Sequence, residues 1–347
     1  MVNVLIDMVH PADVHFFRHA ILRLQQRGDR VCVTSRKKDV TLELLDNFGV
    51  NHNCISDKGK GSAGLFLELL RRDIRLYRVA RKFRPDIILG NNSPCGSHVA
   101  RLLRVPSIVF DDTEIHRFNR MLYMPVVTEV HSPDCYRFSP GRKQRLYPGY
   151  HSLAYLHPDV FRPDPDAVRA MGLDPDERMV LLRFVSWGAM HDVGLGGLSP
   201  DDKLRLVRKL EPHARVLISA EGDLDGALQA YRVDVPLTGI HYLLACVDVV
   251  IGESATMCSE AAALGTPAIY IDEKGRGYTD ELERAYGLCF NQRPDDYTGI
   301  ETRALELLAL DDIRGTFEPA HTRMLSEKIN VSDYQIEQID RLVSRGR

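Results

Sequence analysis

The sequence predicts an α/β protein with two domains, each built on a doubly wound parallel sheet. Three observations predict this class. The chain has 347 residues, about twice the length of a typical domain. Short apolar runs alternate with amphipathic segments of helical length, which is typical of buried parallel strands and their crossover helices. Hydrophobic residues make up 44% of the chain and charged residues 27%, the values of a protein with its own core.

The first half of the chain contains five predicted strands and four predicted helices. An apolar run opens the chain and ends in the loop His10-Pro11-Ala12-Asp13, where Asp13 is the expected N-cap of a helix that Gly28 stops. The strands are expected at about 2–8, 31–34, 51–55, 86–89 and 107–110. The helices are expected at about 13–26, 40–48, 65–83 and 97–103.

A turn-rich stretch at residues 147–175 indicates a domain junction, because prolines and glycines cluster there. Strands are expected beyond it at 179–184, 215–219, 233–235, 247–251, 268–271 and 288–290. Helices are expected at about 201–210, 226–231, 242–246, 256–264, 279–286 and 295–309, with two more in 312–343. We predict Rossmann-like domains at 1–155 and 156–330 that face a central cleft, and a final helix at 331–347 that could pack back on the first domain.

Charge and cysteine content exclude several classes of protein. The net charge is −3, which disfavours a protein that coats nucleic acid. Residues 1–155 hold 24 basic and 15 acidic residues (+9), whereas residues 156–347 hold 21 and 33 (−12). The seven cysteines form no C-x-x-C pair, so neither a disulfide framework nor a zinc site is expected. No apolar run could span a bilayer and no signal peptide precedes the first strand, which predicts a cytoplasmic protein.

The segment 249–269 carries the strongest local signal for a binding site. It has the pattern of a strand, a turn of small residues, a helix, a glycine stop and a strand. Free amides at the start of that helix would bind a diphosphate without a metal ion, and Glu260, about one turn further on, could reach a ribose. The residues that supply the amides are Ser254, Ala255, Thr256 and Met257. The alternative is an ordinary βαβ turn with a serine or threonine cap.

This segment also resembles the donor-nucleotide loop of GT-B glycosyltransferases. The matching residues are Gly252-Glu253-Ser254-Ala255-Thr256-Met257, Glu260-Ala261-Ala262 and Leu264-Gly265-Thr266-Pro267. Further segments are similar to a family of predicted glycosyltransferases that is named as a domain of unknown function. They are residues 10–17, 112–114, 149–158, 184–192 and 278–282. That family is related to lipid II N-acetylglucosaminyltransferase, lipid-A-disaccharide synthase and the non-hydrolysing UDP-N-acetylglucosamine 2-epimerase.

The resemblance implies a nucleotide-sugar donor, UDP-linked, bound by the second domain as a co-substrate with no further cofactor. It places the diphosphate on the four amides and the ribose on Glu260. Ile240 matches the place where relatives contact the base, and Arg183 matches a phosphate-binding arginine. A guanidinium there would offset the diphosphate charge as the bond breaks, although an ordinary surface arginine is the alternative.

The resemblance also implies that the loop before the first helix faces the acceptor. His15 could take a proton from a sugar hydroxyl as the catalytic base, and Asp13 is the competing base. His10, in the same loop, is a candidate for binding substrate. N-capping alone would explain Asp13, and a partly exposed helical histidine would explain His15.

An acidic loop follows the predicted strand at 107–110 and therefore lies at the carboxyl edge of the sheet, where such folds bind ligands. Asp112 and Glu114 are candidate catalytic carboxylates there, and His116 is a candidate for binding a sugar hydroxyl. The pair Asp111-Asp112 is a weak metal signal, so no metal site is predicted. A solvated acidic loop is the alternative.

A glycine-rich loop after the strand at 179–184 contains the chain's single tryptophan. Trp187 could stack on a sugar while His191 or Asp192 binds its hydroxyls. The alternative is a packing tryptophan beside a flexible lid.

The helix at 65–84 carries a basic stripe formed by Arg71, Arg75, Arg78 and Lys82. This stripe could contact an anionic membrane or a lipid diphosphate at the inner face of the membrane. A solvated face is the alternative, and nucleic acid is not expected because few aromatic residues are interleaved.

Three functions are compatible with these features. The first is a metal-independent GT-B glycosyltransferase acting on a glycan, a lipid-linked acceptor or a small molecule. The second is a nucleotide-sugar 2-epimerase or hydrolase on the same fold. The third is a non-catalytic module that binds nucleotide sugars.

Overall fold

A computed structural model describes residues 1–57, 59, 61–139, 141–185, 197–220, 222, 224 and 226–346. The chain divides into two compact units. Unit 1 comprises Met1–Tyr155 and Ile329–Arg347, and unit 2 comprises Leu156–Lys328. The predicted boundaries are 155/156 and 330/331, so the second observed boundary lies two residues before the predicted one. None of the helices within the described residues is long and apolar enough to cross a membrane.

The described residues contain twelve strands, numbered in chain order. They are β1 Asn3–Met8, β2 Arg30–Lys37, β3 His52–Asp57, β4 Ile87–Asn91, β5 Ser107–Phe110, β6 Glu129–Pro133, β7 Gln144–Tyr147, β8 Met179–Phe184, β9 Arg215–Ala220, β10 Val249–Gly252, β11 Ala268–Ile271 and β12 Cys289–Gln292.

The α-helices of the described residues are numbered in the same way. They are α1 Pro11–Gln26, α2 Thr41–Asn47, α3 Gly61–Phe83, α4 Pro94–Leu103, α5 Arg117–Tyr123, α6 Leu153–Leu156, α7 Pro165–Arg169, α8 Pro200–Leu210, α9 Ile240–Cys246, α10 Ala255–Ala263, α11 Gly277–Glu281, α12 Tyr297–Leu308, α13 Ile313–Glu327 and α14 Val331–Gly346. A 3₁₀ helix at Gly226–Tyr231 and a π-helical turn at Leu282–Tyr286 complete the helical elements.

Each unit is built on a sheet in which every described strand pair is parallel. The seven strands of unit 1 have the order β3-β2-β1-β4-β5-β6-β7, and the five strands of unit 2 have the order β12-β11-β10-β8-β9. The central strands are buried on both faces, as the continuous apolar runs predict. Both sheets therefore confirm the predicted α/β class.

The expected elements differ from the structure in three places. Residues 233–235 are not a strand, and the isolated bridge found there joins the preceding residue, Arg232, to Ile218. The elements β6, β7 and α5 were not predicted, because β6 contains a buried glutamate and histidine and β7 is polar and half exposed. The short helices α6 and α7 were not predicted either, and they lie in the turn-rich stretch at residues 147–175. Finally, α1 begins at Pro11 with His10 as its N-cap, so Asp13 is the third residue of the helix and not its cap.

The helix α14 returns to unit 1 and packs on α1, as the pattern of the tail allows. The Gln335 side-chain amide donates to the Phe16 carbonyl at 3.1 Å, and both groups are buried. Tyr334 and His131 form a hydrogen bond of 2.8 Å, and Arg341 pairs with Glu129 on β6. These buried polar contacts hold α14 in one register on the sheet and helices of unit 1.

A buried ion pair joins α3 to the central strand of unit 1. Arg72 is 3% exposed and pairs with Asp7, which is fully buried on β1. Thr34 donates to Asp7 at 2.8 Å and Ser93 at 2.9 Å, so both carboxylate oxygens are bonded. Burying two charges is tolerated here because the pair and its hydrogen bonds replace water.

Replacing Arg72 with methionine should therefore destabilise the protein strongly. We expect the free energy of unfolding to fall by about 3–5 kcal/mol, because Asp7 would remain buried without its cation. The exposed residue Arg78 on the same helix provides the control, and Arg78→Met should change stability by less than about 0.5 kcal/mol. Urea denaturation measures both changes. Equal losses in the two variants would contradict this role of the buried pair.

Candidate functional site

The start of α10 in unit 2 presents backbone amides at the carboxyl edge of the sheet. Ser254 is the N-cap, and its Oγ accepts a hydrogen bond from the Met257 amide at 3.3 Å. No hydrogen bond within the described residues uses the amides of Ala255 and Thr256, and Thr256 is exposed. A helix N-terminus with available amides and no acidic residue in its first turn attracts an anion.

The close approach of β8 and β10 brings an arginine beside this helix N-terminus. Gly252, the last residue of β10, pairs with Arg183 on β8. A Cβ atom on Gly252 would lie 2.5 Å from the Arg183 carbonyl oxygen, so only glycine fits this position. The Arg183 guanidinium donates to the Ser219 hydroxyl at 3.0 Å. Arg183 and the first residues of α10 therefore lie at the same edge of the sheet, as the sequence predicts.

Glu253 holds the turn between β10 and α10 in place, and this role was not predicted from the sequence. Its side chain is fully buried. The carboxylate accepts hydrogen bonds from the Val185 amide at 3.1 Å and the Leu198 amide at 2.9 Å. The Lys203 ammonium lies 3.5 Å from the same carboxylate. The sequence signal for this role is an acidic residue in a turn of otherwise small residues. A carboxylate that is buried in such a turn must accept several hydrogen bonds.

Glu260 lies on the second turn of α10 and is bonded to a histidine of α9. Its Oε1 is 3.2 Å from His241 Nε2, and both side chains are buried. Ile240, the predicted base contact, is the first residue of α9 and directly precedes His241. The contact between His241 and Glu260 therefore links the predicted base contact to the predicted ribose contact. His241 was missed because nothing in its local sequence distinguishes it from a core histidine.

C-terminal to α10, the chain turns back sharply toward β11. Gly265 has φ +84°, a conformation that favours glycine, and the Thr266 amide bonds the Ala261 carbonyl at 2.9 Å. The Leu264 amide caps the last turn of the helix. The motif Leu264-Gly265-Thr266-Pro267 is therefore a helix stop that sets the length of α10.

Asp13 lies at the carboxyl edge of the unit 1 sheet and is almost wholly buried. One oxygen accepts the Val9 amide at 2.7 Å and the His10 amide at 2.9 Å, while the other accepts the Asn91 side-chain amide at 2.9 Å. Burial raises the pKa of Asp13 to about 6, although these hydrogen bonds favour the charged form. The carboxylate therefore ties the end of β1 to the end of β4.

His15 follows on the first turns of α1 and is also largely buried. Its ring lies 5.6 Å from the Phe48 ring and 5.4 Å from the Tyr155 ring, measured between centroids. His10 is exposed at the start of the helix, where its Nδ1 accepts the Ala12 amide at 3.2 Å. The structure thus places His10 at the N-cap and Asp13 and His15 within the first two turns of α1, with different exposures.

The acidic loop after β5 contains two buried carboxylates and a partly exposed one. Asp111 is buried and accepts the hydroxyls of Tyr123 at 2.7 Å and Tyr136 at 2.9 Å. Glu114 is buried as well, and its Oε1 accepts the Arg137 amide at 3.3 Å. The Asp112 side chain is 23% exposed, so it is the most accessible of the three carboxylates.

Asp112 lies beside a histidine, His151, that is not among the residues predicted from the sequence. Its Oδ2 lies 3.2 Å from His151 Nδ1, and its Oδ1 accepts the Thr113 hydroxyl at 2.7 Å. His151 stacks on Phe16 with 4.2 Å between ring centroids, and burial lowers the pKa of His151 below its usual value. The His151 ring therefore lies against one carboxylate oxygen, while the Thr113 hydroxyl is hydrogen-bonded to the other. The motif Gly149-Tyr150 directly precedes His151, but no local sequence pattern indicates that His151 lies beside Asp112.

His116 lies beside the end of β4 in unit 1. It is the N-cap residue of α5, and its Nδ1 is hydrogen-bonded to the Asn92 side chain. Asn92 has φ +46° immediately after β4, a conformation that is uncommon for residues other than glycine. The candidates of unit 1 therefore line the carboxyl ends of β1, β4 and β5. Trp187, His191 and Asp192 lie outside the described residues.

The fold class of the chain is GT-B, as two solved structures show. The UDP-GlcNAc 2-epimerase from Neisseria meningitidis, solved bound to UDP-GlcNAc, matches with a TM-score of 0.65 and 14% identity, covering 98% of this chain and 100% of that one. MurG from Acinetobacter baumannii matches with a TM-score of 0.58 and 13% identity, covering 98% and 99%.

Residues 2–139 match the family described as "Protein of unknown function (DUF354)", which confirms the resemblance to a family of that kind. A curated relative from Anaeromyxobacter sp. is a UDP-N-acetylglucosamine–N-acetylmuramyl-(pentapeptide) pyrophosphoryl-undecaprenol N-acetylglucosamine transferase. It is 34% identical over 136 residues, which cover 36% of this chain. The match spans only about a third of the transferase's own length, 34%.

The contact between Gly252 and Arg183 makes a direct prediction. Gly252→Ala should lower the free energy of unfolding by about 1–3 kcal/mol, because the new methyl group would push β8 and β10 apart. The helical residue Gly64 is a control, since the nearest atom to its added Cβ would be 3.6 Å away. Urea denaturation measures both variants. Unchanged stability in Gly252→Ala would show that the strands can separate freely there.

Proposed function

We propose that this chain is a metal-independent glycosyltransferase that moves a sugar from a UDP-linked donor to an acceptor bound by unit 1. The observation that carries the proposal is the start of α10, where two available amides lie at the same sheet edge as Arg183. Glu260 lies further along the same helix and completes a donor site with contacts for diphosphate and ribose. The acceptor is a glycan, a lipid-linked molecule or a small molecule.

The donor site needs no divalent cation in this proposal. The leaving diphosphate would accept hydrogen bonds from the Ala255 and Thr256 amides, and the positive end of the helix dipole would stabilise its charge. Arg183 would supply a full positive charge as the bond to the sugar breaks. These groups matter all the more because residues 156–347 carry a formal charge of −12.

Several similar structures that were solved with a bound nucleotide support a nucleotide ligand. The Neisseria epimerase was solved with UDP-GlcNAc, Staphylococcus aureus MnaA with UDP and the glycosyltransferase VinC with DTDP. VinC matches with a TM-score of 0.65 and covers 99% of this chain. We infer a uridine nucleotide for this chain, with Ile240 at the base.

Asp112 is our proposed catalytic base, and His15 is the second candidate. The Asp112 carboxylate is partly exposed, accepts the Thr113 hydroxyl and lies beside His151, whereas His15 is enclosed by two aromatic rings. An acceptor hydroxyl would lose its proton to the base while its oxygen bonds to the anomeric carbon. The bond from that carbon to the diphosphate would break, and UDP would leave with inversion at the sugar.

A 2-epimerase acting on the nucleotide sugar itself is the second candidate function. The acidic loop favours it, because Asp112 and Glu114 are two carboxylates within three residues at the sheet edge of unit 1. Such a reaction would need no acceptor. The two functions therefore differ in whether UDP-N-acetylglucosamine alone is converted.

The donor site predicts that removing one amide weakens UDP binding. Proline is favoured at the first position of a helix and Ser254 already has extended backbone angles, so Ala255→Pro should preserve α10 while deleting a donor. We expect UDP affinity to fall about tenfold, the loss of one charged hydrogen bond. Calorimetric titration with UDP, in EDTA and again with Mg²⁺, measures this change.

Ala255→Ser keeps the amide and is the matched control, with affinity close to that of the parent chain. Glu260→Gln retains a partner for His241 but loses the charge, so it should also weaken UDP binding about tenfold. Glu306→Gln, an exposed residue of α12, should have no effect. Equal UDP affinity in all four variants would place the nucleotide elsewhere, and binding that requires Mg²⁺ would refute the metal-independent site.

Turnover assays test the reaction type. With UDP-N-acetylglucosamine and a panel of glycan and lipid-linked acceptors, Asp112→Asn should lower kcat by about 100-fold or more while UDP affinity is unchanged. His15→Gln should have the smaller effect. Product analysis by mass spectrometry and NMR identifies the sugar formed.

Three outcomes would overturn this assignment in different ways. Epimerised sugar formed without any acceptor would favour the second candidate function. Donor binding with no conversion across the panel would indicate a binding module. A larger loss in His15→Gln than in Asp112→Asn would transfer the role of base to His15.

A further inference from the structure

The outer surface of α3, α4 and α5 in unit 1 exposes large apolar side chains. Phe66 is 61% exposed, Phe118 is 69% exposed and Met121 is 74% exposed. We call this surface the apolar patch. Its members are Phe66, Leu67, Leu70, Ile74, Leu102, Phe118 and Met121. Exposing this much apolar area in one region is costly in water, so it indicates a surface that contacts something apolar.

A histidine on α4 contacts both neighbouring helices. His98 on α4 bonds Asp73 on α3 through Nδ1 at 2.8 Å. Its Nε2 lies 3.3 Å from the Leu122 carbonyl on α5. The exposed residues on either side of this bridge therefore belong to one surface and not to three separate ones.

The exposed apolar residues of α3 follow helical spacing along one side of the helix. Phe66, Leu70 and Ile74 are four residues apart, and they flank the face on which Asp73 meets His98. The core side of α3 is separate, since Leu76 and Ala80 are fully buried. The apolar patch on α3 therefore lies on a different side of the helix from the residues that face the core.

The exposed charged residues of α3 that border the apolar patch are basic. On α3 they include Arg71, Arg75, Arg78, Arg81 and Lys82, which are exposed. The two acidic residues within the three helices are neutralised locally, because Glu68 is paired with Arg36 and Asp73 is bonded to His98. A second copy of this surface would bring like charges together, whereas anionic lipid would meet both the charge and the apolar side chains.

We propose that the apolar patch and its basic border dock unit 1 on an anionic lipid bilayer. The aromatic and aliphatic side chains would enter the boundary between headgroups and acyl chains, and the arginines would contact lipid phosphates. This docking does not depend on the sugar-transfer chemistry. It would allow unit 1 to meet an acceptor at the membrane surface without a spanning helix.

Cosedimentation with vesicles tests the proposal on the full chain. We expect binding to vesicles of equal parts phosphatidylglycerol and phosphatidylcholine to be at least about tenfold stronger than binding to phosphatidylcholine alone. The double variant Phe66→Ser/Ile74→Ser should lower binding about tenfold or more, because two side chains would no longer insert. Part of the parent chain's binding should persist in about 0.5 M NaCl, where surface charge is screened.

Leu22→Ser on α1 is the matched control, since Leu22 is 50% exposed but lies on another helix. It should bind as the parent chain does, and circular dichroism should show that every variant is folded. Failure of the parent chain to bind the anionic vesicles would overturn the proposal. So would equal binding by the apolar double variant, or an oligomer in ultracentrifugation that this variant disrupts, which would assign the surface to a second copy.

Discussion

The close packing of β8 against β10 is the constraint on which the candidate donor site depends. Because Gly252 has no side chain, its Cα can lie against the Arg183 backbone, and the Glu253 amide then bonds the Arg183 carbonyl at 3.0 Å. The turn that follows is fixed by the buried Glu253 carboxylate. These contacts determine where α10 begins, and therefore where its available amides point relative to Arg183. The candidate anion site is thus a product of strand packing and needs no glycine-rich loop.

The carboxyl edge of unit 1 is organised differently, through buried carboxylates that each satisfy several donors. Asp7 pairs with Arg72, Asp13 joins the ends of two strands, and Asp111 accepts two tyrosine hydroxyls. These groups are rigid because each would be costly to leave unpaired in the interior. Asp112 differs from them in being partly exposed, while it still accepts the Thr113 hydroxyl and lies beside His151. This contrast distinguishes a carboxylate available for chemistry from those that maintain the fold.

The fold and the donor half of the site were predictable from sequence because their signals are local. A strand, a small-residue turn and a helix occur within twenty residues around Ser254, and the apolar periodicity marks most strands. The pairings of Asp112 with His151 and of Glu260 with His241 join residues far apart in the chain, so no spacing rule reveals them. The same limitation explains why Asp13 was wrongly predicted to be the N-cap of α1. His10 is the N-cap, and Asp13 instead binds Asn91, which is 78 residues away in the chain. The exposure of Phe66 and Ile74 likewise depends on which side of α3 the core occupies.

Hydrogen–deuterium exchange with and without UDP tests the central claim, the location of the nucleotide, most directly. The account predicts slower exchange in peptides covering residues 252–260 and 240–246, where the diphosphate, ribose and base would bind. Peptides covering α14 should exchange at the same rate in both conditions. Protection confined to unit 1, or no protection at the start of α10 at saturating UDP, would contradict the account.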